Sequence, residues 1–358
     1  MPAAVTYTYD NGDTQMPAVM IGIDPHKQTH QAVALDDREG ELARLEVRAT
    51  KTQVDRLVRW AAPFEDRTWA IESAGGLGYL LAQQLVDAGE HVIDVPPALA
   101  SRVRLLGSGK SNKNDPNDAR SVAIAAMRAP GLASVERADH RVVLRILAKR
   151  NGDLGRERNR VANRLHALLC ELVPAGITKE LRASAAQAVL DGVCPTSPAA
   201  AARHAMALEL LADVRRLDAQ LKESKRRIAD AVTASKTSLT EVFGVGPVIA
   251  AMCIGFTGDV RRFATSDRFA AYTGTAPIEV SSGAHQVFRL SRRGNRRLNH
   301  AIHMAAVTQL RHAHSPGRAF YDRKVAEGKS KKMALRALKR RISDVIYRQL
   351  LIDADRLG

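Results

Sequence analysis

The sequence predicts an α/β domain at the N-terminus, a long helical spacer, and a mainly helical C-terminal domain. Three observations carry that expectation. Within residues 18–95, short apolar runs and helical spacings alternate in the order β-β-β-α-β-α-β. Over residues 139–172 apolar side chains recur every seven positions with little to interrupt a helix. Residues 286–350 then hold 17 basic and only 3 acidic side chains, a net of +14, in a chain whose total is +16.

Each element follows from local pattern. Residues 18–24 are apolar and end at Asp24, residues 30–35 are apolar again, and residues 41–47 alternate, which predicts an antiparallel start. Residues 52–60 place Val54, Leu57 and Val58 at helical spacing. A strand over 68–71 ends at Glu72, a helix over 77–88 is closed by Gly89, and 91–95 is a short strand. This order suits a mixed sheet with helices packed on it. A polar loop is expected next, and then a helix from about 116 to 127, with Asp115 as N-cap and Pro116 in the first position. In the spacer, Leu147, Leu154, Val161 and Leu168 form one row, with Leu144, Leu165 and Leu172 flanking it. Asn151 and Arg158 interrupt the flanking row. Residues 174–202 form a break or looser connection, and the pattern resumes at Leu210, Val214, Leu217, Leu221 and Ile228. A helical hairpin results, each arm roughly 45 Å long per 30 residues. The boundaries are a flexible extension at 1–17, the α/β domain at 18–138, the spacer at 139–235 and the C-terminal domain at 236–358.

Composition narrows function. At 358 residues, 45% hydrophobic and 26% charged, the chain has ample material for buried cores. No run approaches the ~18 apolar residues of a membrane helix. The first residues lack the basic head and apolar stretch of a secretory signal. Cys170, Cys194 and Cys253 are too few and scattered for a disulfide frame or zinc knuckle. A cytoplasmic, nucleoid-associated bacterial protein without a membrane partner is expected. Residues 1–138 carry 15 basic against 18 acidic side chains, so the positive charge is concentrated at the other end. Such concentration points to a phosphate-binding face. Aromatics at 4% disfavour base stacking as the main mode of binding.

Four carboxylates stand out against that background. Asp24 and Glu72 end strands, and Asp115 and Asp118 share one face of a helix start. The last two could simply cap the helix and favour its dipole. Together, however, four acids at element ends can converge at a sheet edge, where they repel one another unless cations join them. Carboxylate oxygens suit Mg²⁺, and two such ions can stabilise attacking and leaving oxygens of a phosphodiester.

In the C-terminal domain, residues 244–247 (Gly-Val-Gly-Pro) open an apolar helix whose N–H groups could hold a phosphate, although a plain turn fits as well. Phe263, Phe269 and Tyr272 read as core. Ser281-Ser282-Gly283 reads alone as a turn, but it precedes Arg289, Arg292, Arg293, Arg296 and Arg297. A serine can attack a phosphodiester where its proton is removed and charge is stabilised, and arginines hold phosphates bidentately. His300 and His303 lack a third metal ligand and read as structural or phosphate-contacting. His26 is at most an outer partner of the acids, near His30. Residues 324–341 read as one amphipathic helix carrying Lys331, Lys332, Arg336, Lys339 and Arg340 against phosphates, with Met333, Leu335, Leu338 and Ile342 inward.

The runs Ile-Gly-Ile-Asp24-Pro-His-Lys, Ile-Glu72-Ser-Ala-Gly and Lys-Asn-Asp115-Pro-Asn-Asp118-Ala resemble the DEDD motif of insertion-sequence transposases. That family has an N-terminal RuvC-like (RNase H-like) domain and includes the Piv/MooV-type DNA invertases and the bridge-RNA-guided recombinases. Ser282-Gly283 ahead of Arg293-Gly294-Asn295-Arg296-Arg297-Leu298 resembles its C-terminal serine domain, with Ser281 as the rival nucleophile. Asn299-His300 departs from that pattern, where a basic residue is expected. The resemblance spans about residues 19–350. It implies Mg²⁺ (Mn²⁺ as a substitute) at Asp24, Glu72, Asp115 and Asp118, with two ions per site. It further implies a phosphoserine link through Ser282, donor and target double-stranded DNA, a structured guide RNA, and a tetramer. Two rival readings stay open: a metal-dependent junction resolvase or nuclease using water, and a non-catalytic nucleic-acid binder.

Overall fold

The computed structural model describes residues 19–106, 115–129, 131–174, 176–177, 181–282, 285–290 and 294–357, apart from the side chains of 106, 115–116, 278–282, 285–290 and 357. The extension at 1–17 lies outside the described residues. The chain divides into two compact units, Met1–Ala138 and Asp139–Gly358.

The first unit contains β1 (Val19–Pro25), β2 (Thr29–Leu35), β3 (Glu41–Arg48), α1 (Gln53–Ala61), β4 (Arg67–Glu72), α2 (Tyr79–Asp87), β5 (Val92–Val95), α3 (Pro97–Leu106) and α4 (Asp115–Arg128). The sheet order is β3-β2-β1-β4-β5, with β1 to β3 antiparallel and β4 and β5 parallel to β1. All seven residues of β1 are buried, as a central strand covered on both faces requires. Period-2 alternation sorts the faces. Ile21, Ile23, Trp69 and Ile71 join Leu57, Leu81 and Leu85 in one core, whereas Met20 and Ala70 join Ala119, Val122, Ala123 and Ala126 of α4 in another. The polar loop expected after β5 is helical over its described part: α3 follows β5 directly, and Leu99, Ala100 and Val103 pack into the α4-side core.

The second unit contains α5 (His140–Leu172), α6 (Ala183–Asp191), α7 (Pro198–Ala234), α8 (Pro247–Thr257), α9 (Ser266–Tyr272), the hairpin β6 (Pro277–Ser282) and β7 (His285–Leu290), α10 (Arg296–Arg311), α11 (Pro316–Ala326) and α12 (Lys331–Leu357). Asp139 and Ser197 cap α5 and α7, accepting the N–H groups of Arg141 and Ala200. Gly152 and Gly155 leave α5 unbroken. Leu154, Val161, Leu165 and Leu169 of α5 meet Leu210, Leu211, Val214 and Leu217 of α7 in a buried seam. Arg158, the polar interruption, is paired with Asp218 across that seam at 2.9 Å. The first turns of α5 enter a different core: Leu144 and Ala148 pack with α8, α10 and α12 residues. Residues 324–341 do not form one helix. Gly328, at φ +87°, separates α11 from α12. Leu338 and Ile342 are buried and Leu335 partly so, but Met333 points outward at 52% exposure, because the inward stripe runs through Ala334, Leu338 and Ile342.

Candidate active site

In the first unit, strand register brings the acids together. Ile23 pairs with Ile71 in the parallel β1/β4 ladder, so Asp24 and Glu72 stand side by side at the ends of adjacent strands. Both share the parity of Gly22 and Ala70, which is the α4 side of the sheet. Gly22 makes the approach of α4 possible: a Cβ there would lie 2.6 Å from Ala123 N and collide with the Ala119 carbonyl. With α4 seated on β1, Asp118 is buried at 7% exposure, one residue before Ala119. Asp115 begins the same helix, and its side chain lies outside the described set.

Electrostatics report the crowding. Burial raises the Glu72 carboxyl above its ordinary range; Asp24 and Asp118 push it further, while Arg104 and His26 oppose them. His26 Nε2 lies 3.8 Å from Asp24 Oδ2. Arg104 Nη1 of α3 lies 2.9 Å from Asp118 Oδ1, yet Asp118 Oδ1 and Arg104 Nε are buried without a hydrogen bond. The Arg104 contact is therefore one of charge without hydrogen-bond alignment.

The backbone behind Glu72 is specialised. Ser73 takes φ +53°, a costly left-handed conformation for a residue with a Cβ. It is held by neighbours: Ser73 N–H donates to Val95 O at 3.0 Å, and Ala74 N–H donates to Asp94 Oδ1 at 2.7 Å. A Cβ on Gly78 would meet Ile71 Cγ2 at 2.7 Å, so the loop lies close against the strand end. His30 belongs elsewhere. Its Nε2 pairs with Gln53 Oε1 at 3.0 Å, Gln53 donates to Gln84, and burial lowers the imidazole's proton affinity.

The donor set suits a hard cation, being carboxylates with one buried, unbonded oxygen. Among the described residues, no group of three or more His, Cys, Asp or Glu is assembled for metal binding. Sequence reading missed Arg104 and Asp94. A helical pattern at Leu99, Ala100 and Val103 could have drawn attention to Arg104; Asp94 offered only a lone carboxylate in a short strand.

In the second unit, Ser282 is the last residue of β6 and pairs in register with His285; Ser281 pairs with Gln286. Their side chains and that of Arg289 are not among the described ones, and Arg292 and Arg293 lie outside the described residues. The Gly294-Asn295 motif anchors the start of this hairpin segment. A Cβ on Gly294 would fall 2.5 Å from Gly274 N. Asn295 N–H donates to Tyr272 O at 2.7 Å, and its side chain caps α10 by accepting from the N–H groups of Arg297 and Leu298. Asn299 Nδ2 donates to Thr273 O and Gly274 O, each at 3.0 Å, and Lys339 Nζ donates to Asn299 Oδ1 at 2.7 Å. The departure at Asn299 thus has a structural role.

The basic candidates divide by environment. Arg296, Lys331, Lys332 and Arg336 are exposed. Arg297 stacks over Phe256 at 5.2 Å. Arg340 is paired with Asp267 at 2.6 Å and Asp344 at 3.0 Å. Lys339 is buried, which lowers its pKa, with Arg336 adding repulsion. No helix among the described residues is long and apolar enough to cross a membrane.

Comparison with known proteins gives two family matches along the chain. A model named for the IS110 DEDD transposases and described as "Transposase" matches residues 21–174, and one described as "Transposase IS116/IS110/IS902 family" matches residues 236–322. An IS116 insertion-element protein of Streptomyces clavuligerus, "uncharacterized 44.8 kDa", is 28% identical over 94% of this chain and 96% of its own. An IS900 insertion-element protein of Mycobacterium paratuberculosis is 26% identical over 93% and 95%. A "Probable family 20 transposase" of Pseudomonas aeruginosa is 29% identical over 77% and 79%. Among solved structures, "T. thermophilus RuvC in complex with Holliday junction substrate" covers 30% of this chain at 17% identity and a TM-score of 0.25, an overlap that carries no argument. Two successive domain matches, covering more than half of the chain between them, with relatives aligned nearly end to end, place this chain in the IS116/IS110/IS902 family of insertion-element transposases.

Proposed function

We propose that the chain cleaves and rejoins DNA through two centres, a metal-assisted acidic one in its first unit and a serine in its second. Membership of a transposase family carries the coarser activity, cleavage and recombination of DNA. The finer reading rests on one observation: Asp24 and Glu72 end adjacent parallel strands on the α4 side of the sheet, and both Asp24 and Asp118 repel charge at Glu72. Acids crowded at strand ends are where an RNase H-like domain would hold cations. Asp24, Glu72, Asp118 and Asp115 would hold Mg²⁺, or Mn²⁺ in its place, which when bound would supply electrostatic stabilisation of the phosphodiester oxygens. The α4 seat on Gly22 and the Asp94-braced loop keep these acids on rigid elements.

In the second centre, Ser282 would lose its hydroxyl proton and attack the phosphorus, breaking one phosphorus–sugar oxygen bond. The expelled oxygen takes up a proton as a free hydroxyl, and the other strand end stays as a phosphodiester of the serine, so that the reverse attack by a strand hydroxyl rejoins DNA. Gly294, Asn295 and Asn299 fix the 272–274 turn from which β6 departs. Arg296 and the exposed basic residues of α12 would hold DNA or RNA phosphates. Pairing of the two centres between subunits of a tetramer, and direction by a structured guide RNA, complete the reading.

The deciding experiment incubates DNA carrying the element's ends with wild type, Ser282→Ala and Asp118→Asn, with any copurified RNA retained, and runs denaturing gels before and after protease. Wild type should give a protease-sensitive covalent protein–DNA species that both variants lose or strongly reduce. Wild-type cleavage by Ser282→Ala, with no covalent species in any lane, would replace the serine reading with a water-using nuclease. Sequencing the copurified nucleic acid tests the guide: a discrete RNA with defined ends is expected, and random fragments would refute it.

A further inference from the structure

Arg104 belongs to none of the acidic motifs, yet it reaches into the acidic centre. It sits in the last turn of α3, its Nη1 2.9 Å from Asp118 Oδ1, with the Asp118 side chain only 9% exposed. Two buried atoms of this pair, Arg104 Nε and Asp118 Oδ1, make no hydrogen bond. A committed arginine–carboxylate pair looks different, and the same unit supplies one. Arg67 donates to both oxygens of Glu90, at 2.6 and 2.9 Å, and Trp69 Nε1 adds a third bond at 2.6 Å. That arrangement uses the fork geometry of the guanidinium, which the Arg104 contact does not. The Arg104 charge also favours ionised Glu72, against burial and the opposing charges of Asp24 and Asp118. Its position is that of a counterion among acids, held by charge and little else.

We propose that Arg104 is the resident counterion of the acidic centre, and that a divalent, oxygen-preferring cation binds by displacing its guanidinium from Asp118. This rests on the reading of Asp24, Glu72 and Asp118 as cation-holding residues. The guanidinium lies against the Asp118 oxygen a cation would approach, and two positive centres beside one buried carboxylate repel each other, so their binding is competitive. Arg104 is a positioning residue in this scheme: it offsets repulsion among the acids while the centre is metal-free and weakens cation affinity in proportion. Metal entry is thereby coupled to release of a side chain at the end of α3.

The test uses the full chain as wild type, Arg104→Gln, Arg104→Lys and Asp118→Asn, with Mn²⁺ binding measured by calorimetry and thermal unfolding followed with and without the ion. Arg104→Gln should bind Mn²⁺ about three- to fivefold more tightly than wild type, the scale of one partly exposed ion pair. It should also unfold at a lower temperature than wild type without metal, with the gap narrowing as Mn²⁺ saturates both. Should Arg104→Gln fail to fold, Arg104→Lys carries the same test, with about twofold tighter binding expected from its poorer match to the carboxylate. Equal or weaker binding in the folded variant, while Asp118→Asn loses the ion, overturns the counterion role and leaves the metal reading standing. A melting gap unchanged by Mn²⁺ also overturns it. Absence of binding by wild type and all variants overturns both.

Discussion

Gly22 contributes through the side chain it lacks. In β1 it faces α4, where a methyl group would meet backbone atoms of Ala119 and Ala123. These are helix backbone atoms, so relief requires moving the whole of α4, including Asp118. Gly22→Ala should destabilise the protein by about 1–3 kcal/mol, the range for overpacking, and should weaken Mn²⁺ binding as well. Unchanged melting and unchanged binding would show that α4 can retreat freely. Glu90 offers a second test, with a defined pH dependence. Burial alone would raise its carboxyl pKa, but hydrogen bonds from Arg67 and Trp69 and the Arg67 charge outweigh that and hold it below the ordinary glutamate range. A carboxyl with a lowered folded-state pKa stabilises the fold above its unfolded pKa, and the contribution disappears as pH falls through the folded value. Glu90→Gln should therefore cost about 1–3 kcal/mol at neutral pH, with the deficit shrinking below about pH 4. A deficit constant from pH 7 to pH 3 would assign the loss to packing.

At the scale of elements, what could be read in advance depended on how local the cause was. Asp24, Glu72 and Asp118 were legible because each lies at the end of an element whose own period is visible, and parity of side chains then follows from strand geometry. The α5/α7 seam was legible for the same reason, its leucines recurring at helical spacing within one stretch of chain. Arg104 was not legible: its partner is on another helix, and α3 itself was hidden in a stretch that begins Pro96-Pro97 and reads as a polar loop. The break between α11 and α12 was missed because continuous basic charge masked Gly328. Gly294-Asn295 invites a phosphate-handling interpretation from its arginine neighbours, whereas its described contacts are to Tyr272 and Gly274, about 20 residues earlier in the chain. Asn295→Ala should accordingly do more than remove a cap costing about 1 kcal/mol. It also releases Tyr272, so amide hydrogen exchange across residues 272–282 should accelerate together with α10. Faster exchange confined to α10 would reduce Asn295 to a helix cap alone.

For the whole molecule, the charge map yields a prediction that burial refines. The +14 of residues 286–350 suggested one phosphate-binding face, with Lys339 and Arg340 counted alongside Lys331, Lys332 and Arg336. Their environments differ. Lys331, Lys332 and Arg336 are exposed, whereas Lys339 is buried against Asn299 and Arg340 is engaged by two aspartates. A cation releases counterions from nucleic acid only if it can reach a phosphate, so formal charge overstates the binding face. Changing Lys331, Lys332 and Arg336 together to Gln should flatten the dependence of log affinity on log salt by up to about 3 on duplex DNA, roughly one for each phosphate no longer neutralised. Arg340→Gln should leave that slope unchanged, with any effect appearing as lower stability from the loss of its ion pairs. Titrating a labelled duplex at several salt concentrations separates the two cases. If Arg340→Gln flattens the slope as much as any single exposed change, the internal pairs must open on binding, and the phosphate face would have to extend over the α9–α12 contact.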